Sequence, residues 1–231
     1  GGGDDTITGG AGNDTITGGS GNDTLTGAAG NDTMAGTSGT NTINAGDGVD
    51  GITAGSGIDT INAGAGADNI IMGANWASTD VIVGGDGADT LTVSVTADTT
   101  AGTTSGVESI TATWDGGATT DDLSLGSVTG LTTLTLATGG TAETVNVDGL
   151  NSGATVVNSD AEIDTAVIDM ATGASVTYRQ EVDSATGSGT LTLTDAVSAT
   201  ITNLSTTAGL TGDVVLDATD TTRLDIDAGS A

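Results

Sequence analysis

Cysteine, histidine, lysine, proline and phenylalanine are all missing from this chain of 231 residues. Without cysteine there is neither a disulfide scaffold nor a thiolate metal site. Without histidine or cysteine, zinc and copper lose their usual ligands. Hard oxygen donors remain, and these suit calcium. The only basic side chains are Arg179 and Arg223, set against 31 acidic ones, for a formal charge of -29. Phosphate backbones are held by clusters of Lys and Arg, so a nucleic acid partner is excluded. An anionic membrane surface is disfavoured for the same reason. No run of 18 apolar residues occurs, so no membrane-inserted helix is expected. A Gly-x-Ser-x-Gly elbow is absent too, and no histidine can serve as a base. The chain is therefore expected not to be an enzyme.

What is present is a nine-residue phrase. Gly9-Gly10-Ala11-Gly12-Asn13-Asp14-Thr15-Ile16-Thr17 is followed by Gly18-Gly19-Ser20-Gly21-Asn22-Asp23-Thr24-Leu25-Thr26. The acidic position recurs at Asp5, Asp14, Asp23, Asp32, Asn41, Asp50, Asp59 and Asp68. An apolar residue follows two positions later, at Ile7, Ile16, Leu25, Met34, Ile43, Ile52, Ile61 and Ile70. An insertion at 74–79, containing Trp76, shifts the register, and the phrase resumes at Asp80/Ile82 and Asp89/Leu91. High glycine with few aromatics can signal disorder, but disordered tracts do not keep register. Residues 1–92 hold 24 of the 40 glycines, which places a boundary near Leu91–Ser94. The expected domains are 1–92 and 93–231.

The x-U-x segment, such as Thr15-Ile16-Thr17, predicts a minimal strand with the apolar residue on one face and threonines on the other. The glycines supply the positive φ that tight turns need. If each coil takes two phrases, acids 18 apart stack. The columns are then Asp5/Asp23/Asn41/Asp59 and Asp14/Asp32/Asp50/Asp68. At a strand spacing of ~4.8 Å, stacked carboxylates repel by roughly 1 to several kcal/mol. A dication between coils reverses that sign. The expected ligands are these Asp residues, Asn41, Asp80 and Asp89, together with backbone carbonyls of Gly10, Gly12, Gly19 and Gly21.

In residues 93–231 the phrase gives way to short alternating runs rich in Thr, Val, Leu and Ile, such as Leu131–Leu136, Glu143–Asp148, Thr165–Met170 and Asp213–Asp217. This is strand-and-turn patterning. The fold class is all-β, and the second region is either a β-sandwich or an irregular parallel β-helix.

The nonapeptide array resembles the RTX (repeats-in-toxin) family. That resemblance implies a calcium-bound parallel β-roll. It also implies a bacterial protein secreted through a type I system by an uncleaved C-terminal signal and folded by external calcium. No such signal is identifiable in Leu224–Ala231, and none is visible at the N-terminus. The composition resembles the outer region of RTX-containing bacterial surface-layer proteins. A cell-surface structural role follows, with several calcium ions and self-association into a lattice or homo-oligomer. Cell-surface polysaccharide is a further partner class, reached through sequence outside these residues. The alternatives are an RTX adhesin segment and the calcium-binding tail of a secreted hydrolase or toxin.

Departures from the phrase carry expectations of their own. Asn41 should weaken the sites beside it, and the insertion should interrupt both acidic columns. Ala28 and Thr37 replace the second glycine, while Ala45, Ala54 and Ala63 replace the first. Trp76 and Trp114 are expected in cores, and Arg179 and Arg223 in ion pairs. Asp121-Asp122 and Glu162/Asp164 are candidates for a general acid–base couple or for extra calcium ligands, and catalysis is disfavoured because no His, Cys or Lys accompanies them. The Asn-Asp-Thr triplets, like Asn203-Leu204-Ser205, are read as sequence coincidences rather than glycosylation sites.

Overall fold

A computed structural model describes residues 1–115, 121–139, 143–151, 153–159, 163–180, 190–203, 214–217 and 223–227. The protein is all-β, with no helix among the described residues. Glu162, Leu204, Ser205 and Asp213 lie outside them, as do residues 228–231. The chain forms two compact units. Unit 1 comprises Gly1–Ser94, Ala101–Ile110 and Ser127–Leu131, and unit 2 comprises Val95–Thr100, Thr111–Gly126 and Thr132–Ala231.

Ten strands carry the repeats: β1 Thr6–Ala11, β2 Thr15–Ser20, β3 Thr24–Ala29, β4 Thr33–Ser38, β5 Thr42–Asp47, β6 Gly51–Ser56, β7 Thr60–Ala65, β8 Asn69–Gly73, β9 Val81–Asp86 and β10 Thr90–Val95. The remaining strands are β11 Thr99–Thr100, β12 Thr103–Ser105, β13 Ser109–Trp114, β14 Asp122–Ser124, β15 Val128–Thr129, β16 Thr133–Thr138, β17 Glu143–Leu150, β18 Thr155–Asn158, β19 Ile163–Gln180, β20 Thr190–Asn203, β21 Val214–Asp217 and β22 Arg223–Asp227.

In unit 1, from β1 to β10, odd strands pair with odd and even with even. One ladder runs β1-β3-β5-β7-β9-β12-β15, and the other includes β10-β8-β6-β4-β2. All these pairings are parallel. Two phrases therefore make one coil, as the 18-residue spacing predicts. Along one wall Ile7, Leu25, Ile43, Ile61 and Ile82 stack in register. Along the other, Ile16, Met34, Ile52, Ile70 and Leu91 do so. From the second phrase onward these side chains are buried.

The strands are longer than the expected three residues. Most span six, because the ladder continues through both glycines: Gly10 pairs with Ala28 and Ala11 with Ala29. The second-glycine column has positive φ, 116° at Gly10 and 118° at Gly46. Ala28 in this column and Thr37 in the matching column of the other wall hold φ 89° and 83°, where a Cβ is strained.

In unit 2 every pairing between strands is again parallel. This selects the parallel-coil alternative over the sandwich. The long β19 pairs with β17 along its first part and with β18 along its last. The run Thr165–Met170 is thus only the first part of one longer strand. The ladder shifts register between Asp169 and Ser175. Buried Leu134, Leu136, Val145, Val147, Val156 and Leu193 line the interior. Trp114 is buried, and its indole N–H donates to the Asp121 carbonyl at 3.1 Å. Burial pushes the Tyr178 phenol up to about 12, partly offset by its hydrogen bond with Asn158.

Candidate metal centre

The acidic position of each phrase lies at the start of its strand on the same face as the apolar residue, because side chains alternate along a strand. Asp23, Leu25 and Gly27 all face inward. The carboxylates are therefore interior groups: Asp23, Asp32, Asp50, Asp59, Asp68, Asp80 and Asp89 are each at most 2% exposed. Asp5 and Asp14, in the first coil, are only half-buried.

One hydrogen bond recurs along both edges. The backbone amide of each acidic position donates to the side chain of the equivalent residue in the next coil. On the first edge Asp5 donates to Asp23 Oδ1 at 2.9 Å, Asp23 to Asn41 Oδ1 at 3.0 Å, Asn41 to Asp59 Oδ1 at 3.0 Å, and Asp59 to Asp80 Oδ1 at 2.9 Å. On the second edge Asp14 donates to Asp32, Asp32 to Asp50, Asp50 to Asp68, and Asp68 to Asp89, all at 2.7–2.8 Å. The two predicted columns are the two edges of the coil.

From the second coil onward each carboxylate spends one oxygen on this ladder. The other, Oδ2, is buried without a hydrogen-bond partner at Asp14, Asp23, Asp32, Asp50, Asp59, Asp68 and Asp89. A buried unpaired carboxylate oxygen is costly. Burial first of all raises the Asp50, Asp59, Asp68 and Asp89 carboxyls above the ordinary 3.8, while the ladder amides pull them down. Repulsion from neighbouring acids adds to the rise: Asp32 on Asp50, Asp80 on Asp59, Asp50 and Asp89 on Asp68, and Glu108 on Asp89.

Four copies of the family described as RTX calcium-binding nonapeptide repeat match, at residues 1–34, 26–61, 52–74 and 77–100, the first three overlapping. Residues 1–74 and 77–100 are thus similar to RTX repeats. No curated protein and no solved structure shows a significant match to the chain. RTX repeats bind calcium and are typical of secreted, extracellular proteins.

The residues of this array suit that ion. Every side-chain donor is a hard oxygen, as calcium prefers, and the unpartnered Oδ2 atoms stack along both edges. Among the described residues no three acidic side chains converge on one point, so an ion would draw further oxygens from the backbone. The Gly12 and Gly21 carbonyls project toward Gly30 and Gly39 of the following coil, where an added Cβ would collide with them. Gly10 and Gly19 share columns with Ala28, Thr37 and Gly46, whose carbonyls project the same way. A Cβ at Gly9, Gly18 or Gly27 would strike the Asp14, Asp23 or Asp32 carboxylate respectively. The first glycine thus leaves room for the acid.

Asn41 keeps the ladder bond through Oδ1 but presents Nδ2, a donor without a partner, where its neighbours present an oxygen. A protonated amide nitrogen cannot ligate a cation.

The insertion behaves differently from expectation. It bulges within one turn, and Asp59→Asp80 and Asp68→Asp89 bonds span it at a separation of 21 residues. It does not interrupt both columns. It ends only the first, one coil later: Asp80 Oδ2 accepts the Ala77 amide at 2.8 Å, and the Asp80 amide turns back to Ala77 O at 3.0 Å. Trp76, 4% exposed, is buried as expected.

The second edge goes further than the sequence suggested. The Asp89 amide donates to Glu108 Oε2 at 2.8 Å. The signal was Gly106-Val107-Glu108-Ser109-Ile110, which keeps the glycine at the phrase's fourth position and the apolar residue but substitutes Glu for Asp.

Other singled-out residues are placed elsewhere. Asn13, Asn22 and Asn31 form an outer ladder, accepting the Asn31, Thr40 and Val49 amides. The Asp122 amide donates to Asp98 Oδ1 at 3.2 Å, and the Asp122 carboxylate accepts from Asn146 at 2.7 Å. Arg179 has an interaction partner, while the side chains of Asp164 and Arg223 fall outside the described part of the molecule.

Proposed function

We propose that this chain is a structural component of a calcium-dependent extracellular bacterial surface layer, folding and assembling when it meets calcium outside the cell. The observation that supports this reading is the continuation of parallel coils in both units, the second without the acidic edges. Such stacking builds repetitive scaffold with outward threonine and asparagine ranks, as at Thr24, Thr42 and Thr60. The formal charge of -29 makes copies of the chain repel, and calcium lowers that barrier as it fills the edges. The lack of lysine and cysteine and the abundance of Thr, Ala, Gly and Asp suit an extracellular coat.

The test is electron microscopy of the purified chain with calcium. Two-dimensional sheets that dissolve in EGTA are the expected result. Monomers at every calcium concentration, confirmed by analytical ultracentrifugation, would overturn the lattice reading and leave calcium binding intact.

A further inference from the structure

Glu108 lies beyond the four matched repeats, the last of which ends at residue 100. Its surroundings nonetheless reproduce a repeat. The Ser109 amide donates to Asp89 O at 3.1 Å, the bond that Thr90 makes to Asp68 O and Thr24 to Asp5 O. Ile110 is fully buried at the apolar position. Gly106 keeps a positive φ of 62° at the phrase's fourth position. Glu108 Oε2 takes the Asp89 amide as each Asp Oδ1 takes the amide one coil earlier.

The groups facing Glu108 point to a ligand. Asp89 is 0% exposed, and its Oδ2 has no partner. Its Oδ1 is committed backward, to the Asp68 amide. Its Oδ2 lies toward the gap at Gly84, where an added Cβ would come within 2.7 Å of it and would collide with the Gly106 carbonyl from the following coil. The same convergence occurs within the repeats: the gap at Gly27 is closed by the Asp32 carboxylate and the Ala45 carbonyl. The Asp89 carboxylate and the Gly106 carbonyl thus meet one coil past the recognised array, with the Glu108 carboxylate held beside them on the Asp89 amide.

We infer that Asp89, Gly106 O and Glu108 form an additional calcium site that closes the second acidic edge. The longer Glu arm offsets a spacing of 19 residues from Asp89, against 18 in the regular coils. Calcium accepts six to eight oxygens in loose geometry, so it tolerates a mixed Asp/Glu pair, whereas magnesium demands a tighter octahedron. The two edges then end differently: the first on the Ala77 amide, the second on an ion.

This inference rests on calcium occupying the ladder and not on lattice formation. Its test is native mass spectrometry of the full chain, counting bound calcium, with calcium-induced circular dichroism alongside. Glu108→Gln should bind one ion fewer than the parent and keep the β-spectrum at saturating calcium. Asp47→Asn, which removes one charge at an exposed turn, should leave the count unchanged. An unchanged count in Glu108→Gln would overturn the site. A complete loss of the calcium-induced spectrum would also overturn it, making Glu108 a folding cap. No calcium on the parent chain would instead sink the occupancy of the whole ladder.

Discussion

Both units are parallel β-coils, yet they solve the problem of a narrow interior in opposite ways. In unit 1 each phrase turns three groups inward: a carboxylate, one aliphatic side chain, and a glycine or alanine. Asp50, Ile52 and Ala54 are an example. The coil closes every 18 residues and can stay that short because glycines make the corners. In unit 2 the equivalent positions carry consecutive apolar residues, such as Leu134 with Leu136 and Val145 with Val147. Its coils are longer, with Leu134, Val156 and Tyr178 in register. A fully buried Leu or Val contributes about 1.5–3 kcal/mol, so two per rung give unit 2 an apolar interior of its own. Unit 1 has half as many and adds buried, mutually repelling acids. The difference teaches that regularity of sequence is not stability of fold: the more regular unit is the one that buries repelling acids.

Removing a shared carboxylate should have the largest effect on this contrast. Asp32 accepts the Asp14 amide and donates its own to Asp50, so Asp32→Ala strips oxygen from two adjacent sites. Charge-assisted bonds of this kind are worth about 1.5–3 kcal/mol. A calcium titration by circular dichroism should show a loss of roughly tenfold or more in apparent affinity. An equal substitution in unit 2, Asp122→Ala, should leave the calcium midpoint in place.

Restoring the missing acid should act the other way. Asn41→Asp replaces the unpartnered Nδ2 with an oxygen and gives the first edge an unbroken set of carboxylates. The variant should bind calcium more tightly by several-fold in the same titration. In EGTA it should be less stable than the parent, since one more buried charge is added without a counter-ion.

Acidification should separate the apo and calcium-bound forms. The Asp50, Asp59, Asp68 and Asp89 carboxyls lie above 3.8 in the fold without an ion. A raised carboxyl binds more protons folded than unfolded, so the apo fold gains stability as pH falls through the raised values toward 3.8. With calcium the sign reverses, because protons compete for the same oxygens. Thermal melts in EGTA and in excess calcium, compared across that window, should shift in opposite directions.

The smallest effect belongs to the backbone. Thr37 holds a φ of 83° in a glycine column, and Thr37→Gly should raise stability in calcium by about 1 kcal/mol. Chemical denaturation measures it, and Ala28→Gly should gain less, having no branched side chain.

The acidic and apolar columns of unit 1 were legible because a single spacing repeats without error from Asp5 to Asp68. Strand length was not, since a glycine pair reads as a turn and gives no sign that its backbone stays in the ladder. The insertion reads as a break because periodicity counts residues along the chain; a bulge confined to one turn leaves the walls in register. Glu108 was hidden by its chemistry. It replaces Asp, and Thr103-Thr104-Ser105 precede it where the phrase has glycines. In unit 2 alternation located most strands, including β16 and β17, but alternation carries no information about which strand pairs with which. The short β14 and β18 escaped because three or four residues scarcely establish a period.

Hydrogen exchange with and without calcium, read residue by residue, tests the central claim most directly. In calcium the ladder amides of Asp23, Asp32, Asp50 and Asp68 should be strongly protected. In EGTA they should exchange freely, while the amides of Thr155 and Thr177, bonded to Thr132 O and Ala154 O in unit 2, keep their protection. Equal protection of the Asp amides in both conditions would contradict the account, because the buried carboxylates would then be tolerated without an ion.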